Sequence, residues 1–190
     1  MTVDDPVHVA QRTFRALLSA LAHPGRVTTL DEVFDAPAEL GCALAAGAFA
    51  LFDREVAVWL PPPARAGVGA WLAARTACRL VAAPAEADFA VLLDAQQALP
   101  LDRWNAGTPE DPERSASLLV RVDALSGGPP ISLAGPGIEN AVTIEPYGIP
   151  PRFWREWAAN TASYPLGVDC FFFDACYVMG LPRTAKERPA

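Results

Sequence analysis

The stretch ADFAVLLD, residues 87–94, places five apolar side chains in unbroken succession between Asp88 and Asp94. Neighbouring residues of a strand face opposite sides of a sheet, so a run without polar alternation implies a strand covered on both faces. EVAVWL (55–60), CRLVA (78–82), SASLLVRV (115–122) and PPISLAG (129–135) read as further strands, as does the short RVTTL (26–30). GVDCFFFDACYVMGL (167–181) reads as two strands joined by a tight turn near Asp174 and Ala175.

Helical patterns alternate with these runs. VHVAQRTFRALLSALA (7–22) sets Val7, Phe14, Leu17, Leu18 and Leu21 near helical spacing, and Pro24-Gly25 stops it. PAELGCALAAGAFALFD (37–53) is predicted as an alanine-rich helix with Pro37 in its first turn. A third helix follows the proline-rich turn in PPPARAGVGAWLAART (61–76). A fourth, IPPRFWREWAANTASY (149–164), carries an aromatic stripe of Phe153, Trp154 and Trp157. With 190 residues, 52% of them hydrophobic, the chain has material for one core-bearing domain. The expected fold is α/β, a mixed central sheet flanked by helices. LDRWNAGTPEDPER, within the 101–116 loop, interrupts the order and is expected to be mobile, and residues 184–190 are expected to form a loose tail.

Composition removes several functions. A net charge of −7 with scattered basic residues provides no stripe for a nucleic-acid backbone. No secretory signal or membrane-spanning run is visible, so a cytoplasmic location is expected. Cys42, Cys78, Cys170 and Cys176 lack paired spacing and read as buried free thiols, with no metal site predicted. The chain has two histidines, of which His23 is the candidate for chemistry, its alternative role being to terminate the first helix. No G-x-S-x-G elbow is present. The single lysine, Lys186, sits in the polar tail, which argues against a pyridoxal-phosphate Schiff base and against a phosphate-binding P-loop. No cofactor is expected. LAGPGIEN (133–140) resembles a phosphate loop only superficially, because a strand-like AVTIEP follows where a helix would be required.

Four segments in order, FRALLSALAHPGRV (14–27), GTPEDPERSASLLV (107–120), LAGPGI (133–138) and YPLGVD (164–169) followed by GLPRT (180–184), resemble PhnH, the H-subunit family of bacterial carbon–phosphorus lyase. The resemblance covers nearly the whole chain. One departure is Ala185, where the family commonly has a second threonine. The resemblance implies a subunit of the phosphonate-degrading core complex, acting with the G, I and L subunits to displace adenine from ATP and form a ribose-triphosphate phosphonate before the J subunit breaks the carbon–phosphorus bond. It also implies a fold similar to the large domain of pyridoxal-phosphate transferases without that cofactor, and a homodimer or a pairing with J.

Candidate ligand residues are Arg15 and Arg183 for fork-like contacts to phosphate, Thr184 as a hydroxyl donor, and His23, Gly135, Gly137 and Asp169 around them. Each has a purely structural alternative, and for Asp169, which interrupts an apolar run, that alternative is pairing with Arg183. No catalytic residue is assigned. Two readings stand: a scaffold subunit binding J and its own copy, or a participant that binds nucleotide or phosphonate.

Overall fold

In the computed structural model, which describes residues 6–30 and 35–188, the chain runs α1 (Pro6–Ala22), β1 (Val27–Thr29), α2 (Cys42–Leu51), β2 (Ala57–Trp59), α3 (Ala70–Thr76), β3 (Arg79–Leu80), β4 (Phe89–Leu92), β5 (Ser117–Arg121), β6 (Ile131–Ala134), β7 (Val142–Ile144), α4 (Pro151–Ala162), β8 (Asp169–Phe173), β9 (Tyr177–Leu181) and β10 (Lys186–Glu187). α1 stops where expected, ahead of Pro24 and of Gly25 at φ 82°. α2 starts later than Pro37. Residues 38–40 form a turn closed by Leu40 and Gly41 N–H groups on the Pro37 carbonyl, and Gly41 at φ 74° separates that turn from the helix. α3 is entered through a tight helical turn at Pro62–Ala64 and a widened one at Arg65–Gly69, and ends at Ala77 in the left-handed region.

Seven strands form a mixed sheet in the order β1-β9-β8-β5-β4-β2-β3. β3, β2, β4, β5 and β8 are parallel, while β9 and β1 are antiparallel additions at one side. The expected α/β class with a mixed sheet and helices is therefore observed.

Residues of the central strands divide between two cores by alternation. Ala90, Leu92, Leu118, Val120, Cys170 and Phe172 join the core that contains the α4 aromatics Phe153, Trp154 and Trp157. Val91, Leu119, Phe171 and Phe173 join Leu17 of α1, Ala43 to Ala45 and Ala48 of α2, and Leu72 of α3 on the opposite face. α2 is apolar on every side and accordingly sinks into this second core, with Ala43 to Ala48 all buried.

The first face has cover that the sequence pattern did not separate. β6 and β7 leave the main sheet and form a second, three-stranded sheet with β10, whose Leu133 and Ile144 pack into the α4 core. The segment expected as a loose tail from residue 184 instead contributes β10, paired antiparallel to β6, with Ala185 fully buried just before it. The 101–116 loop, expected to be mobile, is anchored. Leu101 and Trp104 are buried, and the Trp104 indole donates to the Ala98 carbonyl at 2.8 Å. Arg103 lies between two indoles, 4.7 Å from the Trp59 ring centre and 4.5 Å from that of Trp104. Cys78 and Cys170 are buried as expected, but Cys176 is exposed at the β8–β9 turn and Cys42 is half-buried.

α1 also differs in orientation. Thr13, Leu17 and Ala20 face inward, whereas Phe14 and Leu18, both part of the expected apolar stripe, are exposed. The close approach of α1 to the sheet is set by Gly180 of β9, where a Cβ would lie 2.4 Å from the Ala20 backbone. Gly180→Ala is expected to push α1 off the sheet and lower stability by about 1–3 kcal/mol, read as a lower urea midpoint.

Candidate functional site

The antiparallel pairing of β8 with β9, in which Cys170 opposes Leu181, carries the first residue of β8 next to the turn that follows β9. Asp169 and Arg183 meet there. The Arg183 backbone N–H donates to Asp169 Oδ1 at 2.7 Å, Nε reaches Oδ1 at 3.2 Å, and Nη2 reaches Oδ2 at 2.6 Å. Nη1 donates to the carbonyls of Pro112 at 3.1 Å and Pro165 at 3.2 Å, and Nη2 also donates to Ser115 Oγ. A guanidinium has five N–H donors, and these contacts use all of them. The side chains are 12% and 19% exposed, so charge-assisted bonds form here in a partly dry setting.

The pair thus clasps four segments: the turn before β5, the Pro165 turn after α4, the start of β8 and the turn after β9. The expected pairing of Asp169 with Arg183 is present. With every donor committed inside the chain, Arg183 has none left for a phosphate. Sequence reasoning missed Ser115 and the carbonyls of Pro112 and Pro165, although GTPEDPERS and YPLGVD were both singled out as motifs. Carbonyl acceptors leave no side-chain signature in a sequence.

Cys170 lies immediately inside this clasp. Complete burial, and then the adjacent Asp169 charge, push its thiol well above the ordinary cysteine value.

The Gly-Pro-Gly loop joins β6 to β7. Gly135 has φ 147° and Gly137 φ 82°. A Cβ at Gly135 would stand 2.5 Å from the Thr184 carbonyl oxygen, and one at Gly137 would stand 2.2 Å from that of Ala22. The glycines are needed because the loop backbone presses on the turn after β9 and on the end of α1. His23 lies exposed at that helix end, its Nδ1 3.1 Å from the Ser19 carbonyl oxygen. With Pro24, Gly137, Ile138 and Glu139 it borders a shallow hollow of about 370 Å³. Arg15 is exposed on α1 and does not line it.

The candidate residues therefore fall into three neighbourhoods. Arg183 joins Asp169, Thr184 joins Gly135, and His23 joins Gly137, with Arg15 apart. Among the described residues no group of three or more His, Cys, Asp or Glu side chains is placed to hold a metal ion. No described helix is long and apolar enough to cross a membrane.

The family described as bacterial phosphonate metabolism protein (PhnH) matches residues 1–188. The alpha-D-ribose 1-methylphosphonate 5-triphosphate synthase subunit PhnH of Rhizobium meliloti (strain 1021) is 38% identical over 183 residues, covering 96% of this chain and 92% of its own. The putative C-P lyase subunit protein HtxG of Stutzerimonas stutzeri is 32% identical over 182 residues, covering 92% of this chain and 83% of its own.

Asp169→Ala leaves the Arg183 guanidinium partly buried without its counter-charge. The expected loss is about 2–4 kcal/mol, somewhat less than for a fully enclosed pair, measured by chemical denaturation. Native-state titration with a thiol reagent at mildly alkaline pH is expected to modify Cys176 within minutes and to spare Cys78 and Cys170 until the chain is unfolded.

Proposed function

Because this chain belongs to the bacterial phosphonate metabolism protein (PhnH) family, we propose that it is a subunit of a carbon–phosphorus lyase complex, working with the G, I and L subunits to form ribose-triphosphate phosphonate from ATP and phosphonate. The observation that carries this reading is the match over residues 1–188, a span that includes every element of both sheets. Both named relatives point the same way, one as a synthase subunit and the other as a putative C-P lyase subunit.

Within that complex the chain acts as a scaffold. Its strongest polar cluster, Asp169 with Arg183, holds the chain's own segments together, and its lone lysine is exposed on β10. A fold like the large domain of pyridoxal-phosphate transferases, with no cofactor and no positioned amine to hold one, fits these features. Free thiols suit a cytoplasmic location.

Contact with the J subunit, or with a second copy of the chain in isolation, falls to α1. Phe14 and Leu18 stand one turn apart on its outer side at 48% and 59% exposure, and apolar anchors of this kind drive association once covered. The competing reading, a participant that binds nucleotide or phosphonate itself, finds no free anion donor on Arg183.

Co-expression of a tagged chain with the other subunits tests the proposal. The G, I and J subunits are expected to co-purify, and Leu18→Asp is expected to reduce recovery of J at least tenfold while leaving the fold intact. His23→Ala is expected to leave assembly and complex activity within twofold. Turnover of ATP and a phosphonate by the isolated chain, or failure of any subunit to associate, would sink it.

A further inference from the structure

β2, β4, β5 and β8 run parallel and end at one edge of the main sheet. After β2 the chain moves outward to β3, and then returns past β2 to β4. Connections on the two sides of the β2–β4 boundary therefore leave in opposite directions. In an open parallel sheet such a reversal leaves a crevice beyond the carboxyl ends of the strands.

That crevice is present as two adjoining chambers. One, of about 410 Å³, is lined by Pro61, Pro63, Val68, Trp71, Leu93 and Gln97. The other, of about 420 Å³, shares Leu93 and is lined by Asp94, Gln96, Arg121 and Asp123, which follow or end β4 and β5. The first has mostly apolar walls, with Glu39 and Gln97 as its polar members. Trp71 is half-buried there, braced edge-on by Phe49 at 5.4 Å and covered on its ring by Arg75 at 4.4 Å.

The second chamber is polar and has bonding capacity left over. Arg121 Nη1 donates to the carbonyls of Ala38 and Glu39, tying down the segment that borders the apolar chamber, while its Nε and Nη2 have no partner among the described residues. Asp94 Oδ1 accepts from the Gln96 N–H at 2.7 Å, while among the described residues Asp94 Oδ2 and the Asp123 carboxylate, both on exposed side chains, have no protein partner. Two carboxylates and one guanidinium line the chamber, so it favours neutral hydroxyls, which donate to carboxylate oxygen, and disfavours phosphate.

We infer that this crevice binds a nucleoside, with the planar base against Trp71 and the prolines and the sugar hydroxyls on Asp94 and Asp123. The ligand is amphipathic in the same sense as the crevice: a ring at one end and a vicinal diol, without anionic charge, at the other.

Trp71 supplies the probe, since Trp59, Trp104, Trp154 and Trp157 are each no more than 8% exposed. Adenosine added to the isolated chain is expected to change tryptophan emission saturably, and Trp71→Phe to abolish that change. By calorimetry, 2′,3′-dideoxyadenosine and AMP are each expected to bind at least tenfold more weakly than adenosine. Asp94→Asn with Asp123→Asn, both at exposed positions and with an amide oxygen still able to cap the Gln96 N–H, is expected to weaken adenosine binding roughly tenfold or more. Absence of saturable heat with adenosine at millimolar concentration overturns the inference, as does equal affinity for the dideoxy compound, for AMP, or for the doubly substituted chain. These measurements use the chain alone, so their failure leaves assembly with the lyase subunits untouched.

Discussion

Three neighbouring strands, β4, β5 and β8, have apolar side chains on both faces, and no arrangement that leaves either face in water is stable. Burial on two sides forces a cover on each. α1, α2 and α3 supply one, and α4 with the three-stranded sheet supplies the other. It also forces the backbone groups of those strands to pair with one another, since no water reaches them. Parallel pairing from β3 through β8 satisfies that demand and leaves β9 and β1 to close one side antiparallel.

The ion pair of Asp169 and Arg183 follows from this layering. β8 and β9 enter the core side by side, so the polar residues flanking them emerge at the same place. An isolated guanidinium at 12% exposure is costly, and the carboxylate and neighbouring carbonyls offset that cost by using its whole donor set. The clasp fixes the turn after β9, from which Ala185 enters the core and β10 joins β6. Trp157 then donates to the Ala185 carbonyl at 2.8 Å, so α4, the second sheet and the chain end form one cover. What the sequence presents as a polar tail is part of the wall.

The two sides of α1 divide in the same way. The core-facing side of α1 is closely packed against Gly180, while its outer side presents Phe14 and Leu18 to solvent. The charges of Asp169 and Arg183 are committed to internal bonds, whereas Arg121 at the carboxyl edge of the sheet keeps Nε and Nη2 unused among the described residues. The exposed apolar side of α1 and the crevice at the carboxyl edge of the sheet are built from different elements.

The sequence by itself determined the elements and the class. Alternation and continuity of apolar residues marked β2, β4, β5, β8 and β9, helical spacing with a Pro-Gly stop marked α1, and an aromatic stripe marked α4, because these signals depend on residues a few positions apart. The pairing of Asp169 with Arg183 was legible too, since an acid in an apolar run requires a partner and few were at hand. Only the tertiary structure decided which strands leave the main sheet, that β10 exists, that Phe14 faces outward, and that Gly135 and Gly137 serve backbone contacts with Thr184 and Ala22. Those outcomes depend on what lies across space from a residue, and a carbonyl oxygen or a neighbouring backbone at van der Waals distance is the same atom in every sequence. Local pattern specifies how a segment folds, and packing of the whole chain assigns its neighbours.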